Sequence, residues 1–201
     1  MERVNAIKKL EKLEGKDLRI LADYYNVTVW KGGKINKGWA GHVIERYLGL
    51  SLNSAQSPNF GSWELKVVPL KHLRKGKIVV KETMAITMID PVNVLQCNFE
   101  ESHLLAKLKK IVICARMFES KEEKSSLFVK ASSFDLDNET LYNEVKSDYD
   151  LVRETIKIKG FDGLTGRMGI LVQPRTKGAG HGTTSRAFYA RKIFVSQILG
   201  I

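Results

Sequence analysis

The run Ser57-Pro58-Asn59-Phe60-Gly61-Ser62-Trp63-Glu64-Leu65-Lys66 places a carboxylate and an ammonium two residues apart, with Trp63, Val67 and Val68 around them. In an extended strand, side chains at i and i+2 leave the same face. Glu64 and Lys66 are therefore expected to stand side by side while Leu65 turns to the core beside Val67. A strand this apolar rarely carries a casual lysine. The chemistry such a pair supports is metal-assisted hydrolysis of a phosphodiester. The carboxylate holds a divalent cation, the Leu65 carbonyl lends a further oxygen, and the lysine orients and acidifies the attacking water. An acid-x-lysine pair taken alone is also what a solvated strand face carries. One position departs from the pattern: where a second carboxylate is expected, just after Ser57-Pro58, the chain has Asn59.

Around this pair, periodicity predicts a mixed α/β chain. Val4, Ile7, Leu10 and Leu13 recur at helical spacing, and Leu18, Leu21 and Ala22 continue in a second short helix beyond Gly15, together forming a helical opening lobe. After the turn Lys31-Gly32-Gly33-Lys34, a helix over 38–48 carries Trp39, Val43, Ile44, Tyr47 and Leu48, with Glu45 among them. Strands are predicted over 63–70 and 78–89, joined by a hairpin at Lys75-Gly76-Lys77. A short helix over 102–109 should feed a strand over 111–115, followed by a strand over 126–134 and a long charged helix over 139–159. Glycine and basic residues concentrate after Gly160, where a strand over 169–172, a loop over 173–185, a basic segment over 186–192 and a final apolar stretch to Leu199 are expected. The charge run 119–124 reads as a solvated turn. With no repeat or linker, residues 1–201 are expected to form one domain, two lobes around a cleft.

Lys and Arg number 33 against 22 Asp and Glu, for a formal net charge of +11. That balance suits a polyanionic partner, although a basic protein with no specific partner would share it. Cys97 and Cys114 lack any Cys-x-x-Cys spacing and are expected to be free core thiols in a reducing cytoplasm, not zinc ligands. His42, His72 and His103 have no ligand spacing either. No apolar run approaches a membrane span and the opening residues lack a signal pattern, so a cytoplasmic protein without a membrane partner is expected.

Longer motifs carry a resemblance. Lys37-Gly38-Trp39-Ala40-Gly41-His42-Val43-Ile44-Glu45-Arg46-Tyr47-Leu48-Gly49, then Ser57-Pro58-Asn59-Phe60 and Trp63-Glu64-Leu65-Lys66-Val67-Val68-Pro69, are similar to the MutH-type branch of the PD-(D/E)XK nucleases. Ser102-His103-Leu104-Leu105-Ala106-Lys107-Leu108, Thr176-Lys177-Gly178-Ala179-Gly180 and Arg186-Ala187-Phe188-Tyr189-Ala190-Arg191-Lys192 agree in the same order along nearly the whole chain.

The resemblance implies a restriction-endonuclease-like mixed β-sheet flanked by helices, with a helical N-terminal lobe and a C-terminal DNA-reading lobe. It implies Mg²⁺-dependent hydrolysis of double-stranded DNA at a short site, GATC in this branch, by a homodimer or by a monomer that nicks twice. Glu45, Asn59, Glu64, Lys66 and Lys107 become the catalytic positions, with Asn59, Glu64 and Leu65 around the metal and Asn59 standing where the branch has an aspartate. Arg175, Lys177, Gly178, Arg186, Tyr189, Arg191 and Lys192 become the DNA-binding positions. The loop at Lys177 and the Arg186-Ala187-Phe188 segment resemble type II restriction enzymes more than the repair nickase. Asn59 also leaves open a catalytically silent DNA-binding module.

Overall fold

The helices α1 (Arg3–Glu11) and α2 (Leu18–Tyr24) open the chain, followed by a hairpin of β1 (Trp30–Lys31) and β2 (Lys34–Ile35) and by α3 (Trp39–Leu48). Next come β3 (Glu64–His72), β4 (Ile78–Val80), β5 (Met84–Met88), α4 (Pro91–Gln96), α5 (His103–Leu108), β6 (Lys110–Met117) and β7 (Phe128–Asp135). The long helix α6 (Glu139–Lys159), β8 (Val172–Thr176), β9 (Arg186–Ala190) and α7 (Lys192–Leu199) complete it. This computed structural model describes residues 1–49, 61–74, 76–177 and 185–201.

A four-stranded mixed sheet in the order β4-β3-β6-β7 lies between two apolar cores. Strand β3 runs parallel to β6 and antiparallel to β4, and β6 is antiparallel to β7. Alternation sorts the side chains of β6: Ile111, Ile113, Ala115 and Met117 join one core, Val112 and Cys114 the other. Covered on both faces, β6 needs an almost unbroken apolar sequence. Helices α1, α2 and α3 pack on the Val112 face through Leu10, Leu18, Val43 and Ile44. On the opposite face lie α5, α6, α7 and a three-stranded sheet in the order β5-β9-β8. Burial pushes the Cys114 thiol up, and both cysteines are free.

Side-chain caps set several boundaries. Asn138 accepts the Leu141 N–H at 3.0 Å, starting α6 where the pattern predicts. Ser102 accepts from Leu105 N at 3.1 Å to start α5. The periodicity missed α4, whose six residues are too few to show a face; Asp90 caps it and Pro91 takes its first position.

Three expectations are corrected. The strand expected over 78–89 is two strands, β4 and β5, which belong to different sheets; the polar stretch Lys81-Glu82-Thr83 carries the chain between them. The strand expected over 169–172 begins only at Val172 and runs into the stretch read as a loop. Its approach is held by Asp148 of α6, whose carboxylate accepts the N–H groups of Ile170, Leu171 and Val172 at 2.7, 2.8 and 2.7 Å. Gly169 allows the turn with φ at +75°, where a Cβ would lie 1.8 Å from the Val172 carbonyl oxygen. The run 119–124 is not simply solvated: Glu123 is buried and paired twice with Arg116 of β6, at 2.7 and 2.9 Å. A buried guanidinium requires a counter-ion, and the turn supplies it.

Asp148→Ala should leave three inward N–H groups without their acceptor, at about 1–3 kcal/mol for each group that stays unsatisfied. Urea unfolding is expected to show a midpoint drop equivalent to roughly 3 kcal/mol with little change in slope; a loss below about 1 kcal/mol would show that the carboxylate does not hold β8.

Candidate active site

Glu64 opens β3 and Lys66 follows on the same face, as alternation requires. In the parallel register Glu64 lies opposite Ile111 near the start of β6. Helix α5 ends just before β6, which brings Lys107 in its last turn over Glu64. The Lys66 Nζ is 2.8 Å from Glu64 Oε1. Lys107 Nζ donates to both carboxylate oxygens, at 3.3 and 3.2 Å. Lys66 Nζ also donates to the main-chain carbonyl of Ile86 in β5 at 3.1 Å, so this cluster bridges the two sheets. Glu64 is 2% exposed and Lys107 8%, whereas the Lys66 side chain keeps 19%.

Desolvation pushes the Lys66 ammonium below the ordinary lysine range; the Glu64 charge and hydrogen bond oppose this, and the Lys107 and Lys177 charges add to it. Glu45 approaches from α3 on the other side of β3. Its carboxyl is pushed up by burial first and then by Glu64, with Lys66 pulling the other way. Glu45, Leu65, Lys66 and Val67 line one hollow of about 210 Å³. It lies beside the segment of β3 that β4 does not cover, since β4 pairs only with Leu70, Lys71 and His72.

Among the described residues, no group of three His, Cys, Asp or Glu side chains could cage a metal ion. What the strand end offers is oxygen: the Glu64 carboxylate, Glu45 within electrostatic reach, and the Leu65 main chain on the uncovered segment. That donor set fits a hard divalent cation that keeps several of its waters and does not fit a thiophilic one. Asn59 lies outside the described residues.

From this cluster a cleft of about 630 Å³ runs along β3 to the three-stranded sheet. Lys37, Lys66, Arg175, Lys177 and Tyr189 line it, with Glu82 the lone carboxylate among its described lining residues. Tyr189 pairs with Gln173 and Ala85 in the ladders, and Arg175 with Ala187, which puts Arg175 and Tyr189 on one face. The Arg175 guanidinium sits 5.8 Å from the Tyr189 ring centroid and donates to Thr83 Oγ1 at 2.9 Å. Burial raises the Tyr189 hydroxyl pKa, but the residue borders the cleft and is not sealed in the core.

The structure therefore brings Glu45, Glu64, Leu65, Lys66, Lys107, Arg175, Lys177 and Tyr189 to one cluster and its cleft. Three other expected DNA-binding positions are not among the described residues that line the cleft. Arg186 alternates to the opposite face of β9 from Tyr189, where it donates to Thr176 Oγ1 at 3.2 Å and lies 5.9 Å from the Phe161 ring. Arg191 donates to the carbonyls of Gly169, Met168 and Gly166 at 2.9, 2.9 and 3.3 Å, fastening the approach to β8. Lys192 is exposed at the start of α7. Gly178 lies outside the described residues. The sequence reading missed Lys37, Glu82 and Thr83 as cleft residues. Lys37 stands at the head of a motif already singled out, but nothing local marks Glu82 or Thr83.

The family model for the DNA mismatch repair enzyme MutH matches residues 48–143. DNA mismatch repair protein MutH of Haemophilus influenzae (strain PittEE) is 24% identical, covering 96% of this chain and 92% of that protein. Its namesake in Shewanella woodyi is 27% identical, covering 93% and 86%. Among solved structures, a restriction endonuclease MvaI–cognate DNA substrate complex aligns at 12% identity and a TM-score of 0.40, covering 90% of this chain and 95% of that one.

The lowered Lys66 pKa has a pH signature. Between its folded value and the ordinary lysine range the unfolded chain binds more protons, so stability rises with pH through that window. Urea unfolding should show the parent gaining stability relative to Lys66→Met as pH climbs from neutrality toward about 10. A difference that stays flat would mean that Lys66 is not desolvated.

Proposed function

We propose that this chain, similar to the MutH-type endonucleases along most of its length, hydrolyses double-stranded DNA at a short site with Mg²⁺, as a type II restriction endonuclease that prefers GATC. The observation that carries this reading is the buried Glu64 clamped by Lys66 and Lys107 beside a cleft lined by Lys37, Arg175 and Lys177. A polyanion fits that cleft, and the cluster supplies what phosphodiester hydrolysis needs.

Glu64, the Leu65 carbonyl and residue 59 would hold the Mg²⁺ ion, which supplies Lewis-acid stabilisation of charge on the scissile phosphate. Lys66 holds the attacking water; with its pKa lowered, it gives up and regains a proton more readily than a solvated lysine. Lys107 holds the Glu64 carboxylate in place, and its charge offsets the negative charge that builds during bond cleavage. Arg175 and Lys177 meet phosphates and base edges from the second sheet, with Tyr189 beside them. Products carry 5′-phosphate and 3′-hydroxyl ends. A neutral amide at Asn59 takes one charge from the metal site while preserving its shape, which lowers activity more than DNA binding.

A second reading is a mismatch-repair nicking enzyme. It is favoured by the name of the curated relatives, DNA mismatch repair protein MutH. Digestion of a plasmid by the parent and by Asn59→Asp, with the ends mapped, tests both. Asn59→Asp is expected to cut about a hundredfold faster or more. In that background Lys66→Ala and Lys107→Ala should each suppress cleavage while affinity for DNA falls only slightly. Linear fragments ending at GATC support restriction, and nicked circles support the repair reading. Equal rates for the parent and Asn59→Asp would remove Asn59 from the metal site. Sequence-specific binding without cleavage by either would leave a silent DNA-binding module.

A further inference from the structure

A second hollow, of about 740 Å³, adjoins the cleft on the side of the β1–β2 hairpin and shares Lys37 and Glu82 with it. Its rim carries Lys34 from the hairpin, Lys81 from the crossover between the sheets and Lys121 from the segment after β6. Two aromatic rings stand among these lysines: Trp30, 43% exposed, and Phe118, whose ring centroid lies 4.0 Å beneath the Lys81 Nζ. The floor adds little charge, because Arg116 there is neutralised by Glu123. Among the described residues, Lys81 is the only one of the rim lysines with a carboxylate within ion-pair distance, at 3.7 Å from Glu82. Neither the Glu64 cluster nor the reading face of Arg175 and Tyr189 uses this hollow. Its lysines are gathered from three separate segments onto one concave surface, whose opening continues that of the cleft.

We propose that this hollow is a second polyanion site, which takes the sugar–phosphate backbone of duplex DNA flanking the recognised sequence; this rests on the DNA-cleaving reading above. Cationic side chains that meet phosphates position a duplex without reading it, and the exposed Trp30 ring with the half-buried Phe118 ring gives the sugars an apolar wall. DNA lying in the cleft would leave it over Lys37 and pass Lys34, Lys81 and Lys121 in turn. The site therefore adds affinity that depends on duplex length and not on sequence.

The test compares two duplexes that contain the same site. One ends close to it, and the other is longer by a helical turn, about ten base pairs, on each side. Binding without metal is measured across a salt series for the parent and for the combined Lys34→Ala, Lys81→Ala, Lys121→Ala variant. A second variant, Lys8→Ala, Lys12→Ala, Lys16→Ala, removes the same charge at exposed positions on and after α1. The parent should bind the long duplex more tightly than the short one. The hollow variant should lose that gain, and its salt slope on the long duplex should flatten by about 0.9 for each phosphate that the protein no longer neutralises. Its affinity for the short duplex and its sequence preference should stay close to the parent's, and the α1 variant should keep the length dependence. The inference is overturned if the parent gains nothing from the longer duplex, or if both variants weaken binding alike. Failure of the nuclease reading looks different: no sequence preference on either duplex, and no metal-dependent cleavage by Asn59→Asp.

Discussion

The candidate site depends on one constraint, a Glu64 carboxylate that is 2% exposed and held between two lysines. Removing a carboxylate from water costs several kcal/mol unless ion pairs and hydrogen bonds replace the lost hydration. Two ammoniums do so here, one from the same strand and one from the end of a helix. That solution constrains the fold. The register of β3 on β6, the stop of α5 just before β6 and the position of β5 beneath Lys66 must all be right at once. Hydrophobic packing alone would be served as well or better by apolar residues at these positions, so a dry charged cluster at a strand end is more readily explained by reactivity than by stability.

Buried charge is used twice more, in each case to hold an irregular segment. Asp148 gathers the N–H groups that lead into β8, and Arg191 fastens the preceding carbonyls from the other side. Between them they aim the strand that carries Arg175 and leads into Lys177. Arg116 and Glu123 do the equivalent for the segment after β6, with Ser126 hydrogen-bonded to Arg116 and the Trp39 ring 5.1 Å from the guanidinium. The two devices fix the distant walls of the cleft and of its neighbouring hollow, where regular secondary structure ends.

The cleft combines different kinds of charge. Lys66 and Lys107 are largely dehydrated and bonded to a carboxylate, so their electrostatic effect is strong at short range. Arg175 and the rim lysines stand in or near solvent, where salt screens them and each acts more weakly. Lys177 links the two, because its charge reaches Lys66. Glu82, at the crossover between the sheets, is the exception, a carboxylate among the basic residues that line the cleft.

Much of the frame was legible in the sequence because it depends on local rules. The alternation around Glu64 and Lys66, the helical spacing of Trp39, Val43 and Ile44, and the Asn138 cap of α6 each reside in a few consecutive residues. The placement of Lys107 was legible only through motif resemblance, since a lysine between Ala106 and Leu108 near a basic helix end carries no local mark. Other features depended on partners far away in the chain. Only the tertiary structure showed that 78–89 crosses from one sheet to another, that Glu123 is buried against Arg116, that Arg191 fastens main-chain carbonyls and Arg186 bonds Thr176, and that Lys37, Thr83 and Glu82 line the cleft. The physical reason is that a strand's pattern encodes which side chains share a face, whereas what that face meets is decided by the packing of distant segments and by where buried charges find their counter-ions.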